Sequence, residues 1–492
     1  MRKAGVRTER SPYLGLALLT VGALFVHGYH PGIEDAEIYT PGVKKLLNPS
    51  LYSFGSEFFL NHARLSLFDE LIAASVRATH LPFDVMIFGW YLASIFLMLL
   101  ACWRLSVACF QEPEARWAAV ATVAALLTLP VAGTSLYIAD QYVTSRSIVT
   151  FAVLFAVLGA LKGRMIMWAL WSAVALCVHP LMGALGVTYT LILWWMKRRH
   201  CSLNIAYSLL PAALPVINLN PVPSRAYQQA VSTRSYFFLL QWEWYEWLGA
   251  IAPFFLLWLI WRSSRKEPKD AVGVMSLSLI AYGWFYIALA FVLTIPVYFQ
   301  GLARLQPMRS LHLLYILMFL FLGGLLGRHV LRRQPLRWIA LLAPICVTMT
   351  VAQRQILPGS PHIEWPNKRP TNDWLLAFDW IRGNTPVDAI FAVDPQYMNK
   401  DDQHGFRAIA ERSRLADAVK DSGAVTMFPD SLTPDHWLEQ LTAQSGWEYL
   451  QETDFHRLKQ VYGVSWVLSE RSQHLNFACP YGNHTVQVCR VD

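Results

Sequence analysis

Long apolar runs separated by short polar stretches dominate the chain from its start to about residue 353, and a polar, mixed tail follows. A helix needs roughly 20 apolar residues to cross a bilayer. On that measure the pattern predicts eleven spans, at about 12–29, 84–104, 117–137, 147–161, 165–179, 182–196, 204–219, 246–261, 271–295, 310–327 and 336–352. Several are short, and the pair divided by His179-Pro180 is the least regular. The fold class expected is therefore an all-α polytopic membrane protein, with 1–353 as the transmembrane domain and 354–492 as a small α/β domain outside the membrane.

Basic residues give the spans a direction. Arg2, Lys3, Arg7 and Arg10 precede the first span; Lys162 and Arg164 follow the fourth; Lys197, Arg198 and Arg199 follow the sixth. Arg262, Arg265, Lys266 and Lys269 follow the eighth, and Arg328, Arg332, Arg333 and Arg337 follow the tenth. With eleven spans all five groups fall on one side, and the positive-inside rule makes that side cytoplasmic. The N-terminus is then inside, and the tail after about 354 is extracytoplasmic. The basic N-terminal segment imitates a signal peptide, but VHGYHPG offers no clean small-residue cleavage site, so an uncleaved first helix is expected.

The first external loop, about 30–83, is long. In Leu60 to Thr79 the residues Leu65, Phe68, Leu71, Ile72 and Val76 share one helical face, opposite Arg64, Asp69, Glu70 and Arg77. That spacing predicts an amphipathic helix on the membrane surface. In the tail, Trp374 to Ile381 reads as a helix, Ala389 to Val393 as a buried strand and Arg407 to Ala410 as a second strand. Thr433 to Ala443 reads as a helix capped by Thr433, and Tyr462 to Leu468 and His484 to Val491 as further strands.

Composition agrees with a membrane protein: 55% of residues are hydrophobic and 15% charged, against about 25% charged in soluble domains. The formal net charge of +8 lies in short loops that set topology, so nucleic acid is not an expected partner. Cys479 and Cys489 stand ten apart in the polar tail and could bridge in an oxidising compartment. No Walker A loop, Rossmann glycine pattern or HExxH occurs. A soluble nucleotide-sugar chemistry has no visible site.

Candidate chemistry gathers on the external side. His30 to Tyr39, HPGIEDAEIY, places Glu34, Asp35 and Glu37 just beyond the first span. Asp140 and Arg146 occupy the next external loop, and a buried Arg can hold a phosphate through its bidentate fork. His179 could serve in acid/base work, ligate a metal, or simply close a helix end before Pro180. Arg304 and Arg309 flank Pro307 on a face otherwise poor in positive charge. They could hold a lipid phosphate or reach anionic headgroups. Arg225 and Arg234, with Trp242, Trp244, Tyr245 and Trp247, could bind a sugar phosphate, although aromatic residues belong at any membrane interface.

The acidic motif and the topology together resemble the multi-spanning, lipid-linked-sugar-dependent glycosyltransferases, the GT-C class. The run WIRGNTPVDAIFAVDP is similar to the tail segment of many bacterial members, and FRAIAERSRLADAV resembles an uncharacterised relative of the group. The resemblance implies an inverting transfer of a glycosyl unit from a polyprenyl-phosphate sugar donor to a glycan or lipid acceptor, in the periplasm beside the bacterial inner membrane. It also implies an acidic residue of the first loop as base or as ligand of a divalent cation such as Mg or Mn. Asp35 is the nearest match and Glu37 the second, with Glu34 beside them, and both base and metal stay open between them. Arg309 is the nearest match to the lipid-phosphate residue of a late external loop, with Arg304, Arg146 and Arg225 as further phosphate contacts. Two other functions fit the same topology: a transporter or flippase of a lipid-linked glycan, and a non-catalytic membrane assembly protein. A transporter would show an inverted repeat and broken spans near the midplane, and no repeat is evident.

Overall fold

The structure, a computed structural model, describes residues 11–198, 224–264, 271–295, 297–400, 402–429 and 432–492. It is a bundle of apolar helices carrying a small mixed α/β unit. Among the described residues six helices are long and apolar enough to cross a membrane: Phe83–Cys109, Ser145–Lys162, Trp244–Ser263, Ala271–Thr294, Gly301–Leu331 and Pro335–Ile356. Tyr13–His27 and Met165–Val178 are shorter apolar helices. The expected span at 204–219 lies outside the described residues.

The widest departure from the expected spans is at 117–137. The helix there runs over Pro113–Ala125 and stops. The following chain folds into a hairpin, Pro130–Val131 against Leu136–Tyr137. Pro130 keeps the helix from resuming, because proline disfavours helical backbone in the residue before it and donates no N–H. The same rule divides 165–198: His179, just before Pro180, is extended (φ −150°, ψ 90°) between helices Met165–Val178 and Pro180–Arg198. Ser145–Lys162 starts cleanly, since Thr144 Oγ1 accepts the Arg146 N–H and Ser147 Oγ accepts the Thr144 N–H.

The expected amphipathic helix over 60–79 is two helices, Glu57–Ala63 and Phe68–Thr79. Phe68 and Ile72 are buried as the spacing requires, but so is Asp69, which the pattern places on the polar face. Ahead of them Ala36–Leu47 forms a further helix with Pro41 inside it.

The tail unit holds a five-stranded sheet in the order Ser413–Arg414, Ile390–Val393, Trp466–Glu470, Val486–Arg490, Ala478–Gly482. The first two pairings are parallel and the last two antiparallel. Cys479 and Cys489 form a disulfide between the two neighbouring strands at one edge. Arg407 to Ala410 is helical (Phe406–Ala410) rather than a strand, and the strand at that edge of the sheet is Ser413–Arg414. Tyr462 closes a helix, Glu452–Tyr462, so the strand after it begins only at Trp466. Thr433 is the first residue of helix Thr433–Ala443, and the N-cap position is Leu432.

This unit packs onto the segment 29–52 that follows the first apolar helix. Tyr29 and Ile363 form a parallel bridge, and Ile33 and His404 an antiparallel one. Lys44 Nζ donates to Ala408 O at 2.9 Å and Glu411 Oε1 at 2.6 Å, and Tyr52 Oη donates to Arg407 O at 2.9 Å. Gly405 lies so close to Glu37 that a Cβ there would stand 2.4 Å from Glu37 Oε2, so only glycine permits this approach.

Candidate functional site

The acidic motif sits at the start of helix Ala36–Leu47, and its three carboxylates go three ways. Glu34 holds a left-handed backbone (φ 55°), which a non-glycine residue adopts at a cost. Its carboxylate meets Lys420 of the tail unit. Asp35 Oδ2 accepts Arg146 Nη1–H at 2.8 Å, and Oδ1 accepts from Lys420 Nζ at 3.2 Å. Arg146 is shared, for its Nε and Nη2 donate to Asp140 Oδ2 at 3.0 and 2.8 Å. Asp35 still keeps 30% of its side-chain surface open.

Glu37 turns away from this group. It is fully buried and accepts the backbone N–H groups of Arg407 and Ala408 at 3.1 and 3.0 Å, with Arg407 Nη1 at 3.5 Å. It anchors the tail unit to the loop. The candidate ligand pair Asp35 and Glu37 therefore does not converge on one point.

Burial would raise the Asp35 carboxyl, but Lys420 and Arg146 outweigh it and hold the group well below the usual carboxylate range. Burial pushes Glu37 up to about 7 against Arg407 and Arg414. It also raises Asp140 despite Arg146. His62, from helix Glu57–Ala63, is pushed down to about 4 by burial, so it is a neutral imidazole at pH 7. Its ring packs edge-on against Tyr39 at 4.8 Å, whose hydroxyl accepts from Ser145 Oγ at 3.1 Å.

Arg309, at the entrance to helix Ser310–Leu326, belongs to the same group. Its charge acts on Asp35, His62 and Asp140. Its Nε is buried without a hydrogen-bond partner, and no carboxylate pairs with it among the described residues. His179 is buried within the fields of Arg309 and Arg146. Thus Asp35, Arg146, Arg309 and His179, from four separate stretches of sequence, come together. Arg304 and Arg225 do not join them. Arg304 Nη1 donates to Met427 O of the tail unit at 3.1 Å, and Arg225 is exposed in the first turn of helix Arg225–Ser232.

Two small cavities flank the group, each of about 20 Å³, enough for about one water. One is lined by Asp140, Arg146 and His312, the other by Arg309, Met182 and His312.

A second cluster lies where the tail unit meets the loop. Glu364 Oε1 is 2.8 Å from His30 Nδ1 and 2.8 Å from His404 Nε2. Together these three residues could coordinate a divalent cation, their ligand atoms all lying within 4.8 Å of one another.

Lys420, His62 and the trio His30, Glu364 and His404 were not marked by sequence reasoning. His30 does open the acidic motif, and His62 lies in the segment with helical spacing. Glu364 sits in HIEWPNKR, which reads as linker, and nothing local to Lys420 or His404 points to residue 35 or residue 30.

No protein-family model matches the chain, and no curated protein matches it.

Proposed function

We propose that this protein transfers a glycosyl unit from a polyprenyl-phosphate-linked sugar to an extracytoplasmic acceptor, as an inverting enzyme of the GT-C type. The observation that carries the reading is Arg309: a guanidinium with a buried, unpartnered Nε acting on the same Asp35 that pairs with Arg146. Two arginines beside one partly open carboxylate suit a reaction in which a phosphate leaves as a hydroxyl is deprotonated.

In this reading the acceptor oxygen attacks the anomeric carbon of the donor, and the bond from that carbon to the phosphate oxygen breaks. The bonding electrons leave with polyprenyl phosphate, whose new charge meets Arg309 and Arg146. Asp35 takes the hydroxyl proton. Its ion pairs make it a weak base in the closed arrangement described above, and a phosphate that draws Arg146 toward itself would raise its basicity. The two cavities beside Arg146 and Arg309 are too small for a sugar phosphate, so donor binding there requires the surrounding side chains to move apart. His179 and the neutral His62 are buried beside Arg146 and Arg309. Glu37 is assigned the anchoring role and Glu34 the orientation of Lys420.

The same proposal includes an inner-membrane location, eleven spans, a cytoplasmic N-terminus and a periplasmic tail unit. A glycan or lipid hydroxyl is the acceptor.

The test is a transfer assay. Purified protein in proteoliposomes is given a polyprenyl-phosphate hexose labelled in the sugar, together with an envelope glycan-lipid extract. Label moving to the acceptor with release of polyprenyl phosphate supports the reading. Movement of intact labelled lipid across the bilayer without bond cleavage overturns it in favour of transport.

A further inference from the structure

We infer that His30, Glu364 and His404 form a binding site for a transition-metal ion of the zinc class, which clasps the tail unit to the first external loop. The inference does not depend on the sugar-transfer reading.

The donor set decides the class of ion. Two imidazole nitrogens and one carboxylate oxygen suit zinc and its neighbours. Mg²⁺ prefers an octahedral shell of oxygens and keeps most of its waters. Three protein ligands leave a fourth position, and Glu364 also lines a cleft of about 1050 Å³ from which water can enter. Ligand atoms of a tetrahedral zinc stand roughly 3.3 Å apart. The two contacts at 2.8 Å therefore need to widen by about half an ångström, within the reach of side-chain rotation.

His404 is set up as a ligand. Its Nδ1 is 2.5 Å from Asp402 Oδ1, and that carboxylate is itself fixed by the His404 backbone N–H at 2.8 Å and by Asn372 Nδ2 at 2.7 Å. Asp402 thus holds the proton on Nδ1 and points Nε2 at Glu364. This carboxylate–histidine pairing is the arrangement that orients metal-bound imidazoles. A lone pair on Nε2 facing a carboxylate oxygen needs a cation between them, either a proton or a metal. His30 Nδ1 aims at the same oxygen, so two imidazole nitrogens meet at one carboxylate, with the three ligand atoms within 4.8 Å of one another.

The ligands come from three separate stretches: the end of the first span, the linker and the tail unit. Backbone bonds already join them. Glu364 N donates to Tyr29 O at 2.9 Å, Glu34 N to Gln403 O at 3.0 Å and Gly405 N to Gly32 O at 2.8 Å. A metal at their meeting point would fix the loop that carries Asp35 against the unit that carries Lys420. A pair of protonated histidines on Glu364 would make the same contacts without metal, and the experiment separates the two.

Full-length protein in detergent is stripped with a chelator, dialysed, and titrated separately with Zn²⁺, Co²⁺ and Mg²⁺, with bound metal read by elemental analysis. The expected result is one equivalent of Zn²⁺, a visible four-coordinate Co²⁺ spectrum, and no competition from millimolar Mg²⁺. His30→Ala and Glu364→Gln should each abolish the Co²⁺ spectrum, and Asp402→Asn should weaken Zn²⁺ about 10- to 100-fold. Zinc should raise the melting temperature of the unaltered protein and leave that of Glu364→Gln unchanged. Glu364→Gln keeps the size of the side chain and one acceptor oxygen for His30 and His404, so it guards against loss of the fold in His30→Ala. Failure to bind Zn²⁺ stoichiometrically, or binding that persists in both variants, overturns the inference.

Discussion

Arg146 Nη1 lies 2.8 Å from Asp35 Oδ2, and it joins the segment after the first apolar helix to the start of helix Ser145–Lys162, 111 residues later. The same guanidinium holds Asp140. One arginine thus fixes two carboxylates, and Lys420 fixes Asp35 from the other side. Arg309, in the same group, has no such partner among the described residues. Charge left unpaired in a half-buried place is the feature from which the proposed phosphate contact follows.

Arg309→Ala should therefore weaken donor binding more than it weakens the fold. Removing a charge-assisted contact to a buried phosphate costs about 2–5 kcal/mol. Equilibrium binding of a polyprenyl-phosphate sugar to the purified variant is the measurement, alongside its melting temperature. Unaltered affinity refutes the assignment.

Asp69 offers a stability test away from the site. It is buried, its Oδ2 has no hydrogen-bond partner, and a Cβ on Gly42 would stand 1.9 Å from that oxygen. Burial, with Glu70 adding to it, pushes the carboxyl up to about 8. The folded state then holds a proton that the unfolded state releases near pH 4, so stability falls as pH rises from about 4 to about 8. Asp69→Asn removes that slope. It should stabilise the protein increasingly from pH 4 to pH 8, by up to about 1.4 kcal/mol per pH unit, and by nothing at pH 4, read by thermal melts across that range. An equal effect at both pH values contradicts the assignment.

The disulfide Cys479–Cys489 closes a short loop at the sheet edge. Replacing both residues by serine should cost about 2–3 kcal/mol on the loop-entropy estimate, seen as a lower denaturation midpoint. In cells that lack a periplasmic disulfide catalyst the thiols should become alkylatable. Free thiols in normally grown cells would contradict an oxidising location for the tail unit.

Topology is open to reporter fusions. A fusion after Arg328 should report the cytoplasm and one after Trp374 the periplasm. A cytoplasmic signal at Trp374 contradicts the odd number of spans.

Much of the helical framework was legible, because apolar length reads the same in sequence and in structure: Ala271–Thr294 occupies 271–295 almost residue for residue. Prolines set the limits of that reading. Pro130 turned the end of an apolar run into a hairpin, which hydropathy does not register. Arg407 to Ala410 looked like a strand by its apolar content, yet tertiary demand made it a helix that offers two backbone N–H groups to Glu37. Asp35, Arg146, Arg309 and His179 were each marked singly, and the structure brings them together. Lys420 and His404 were not legible, since only the docking of the tail unit brings residues 402–420 to residues 30–37. Asp69 was misplaced for a related reason: the helical face was right, but the loop is covered from above as well as below.

The central claim is that Asp35 serves the transfer step, and single-turnover transfer by Asp35→Asn tests it most directly. Asn keeps the shape and the contact to Arg146 but accepts no proton. The account predicts a folded, membrane-inserted protein that still binds donor and transfers sugar about 100- to 10,000-fold more slowly, while Glu34→Gln stays within a few-fold of the unaltered enzyme. Transfer by Asp35→Asn at the unaltered rate would contradict it.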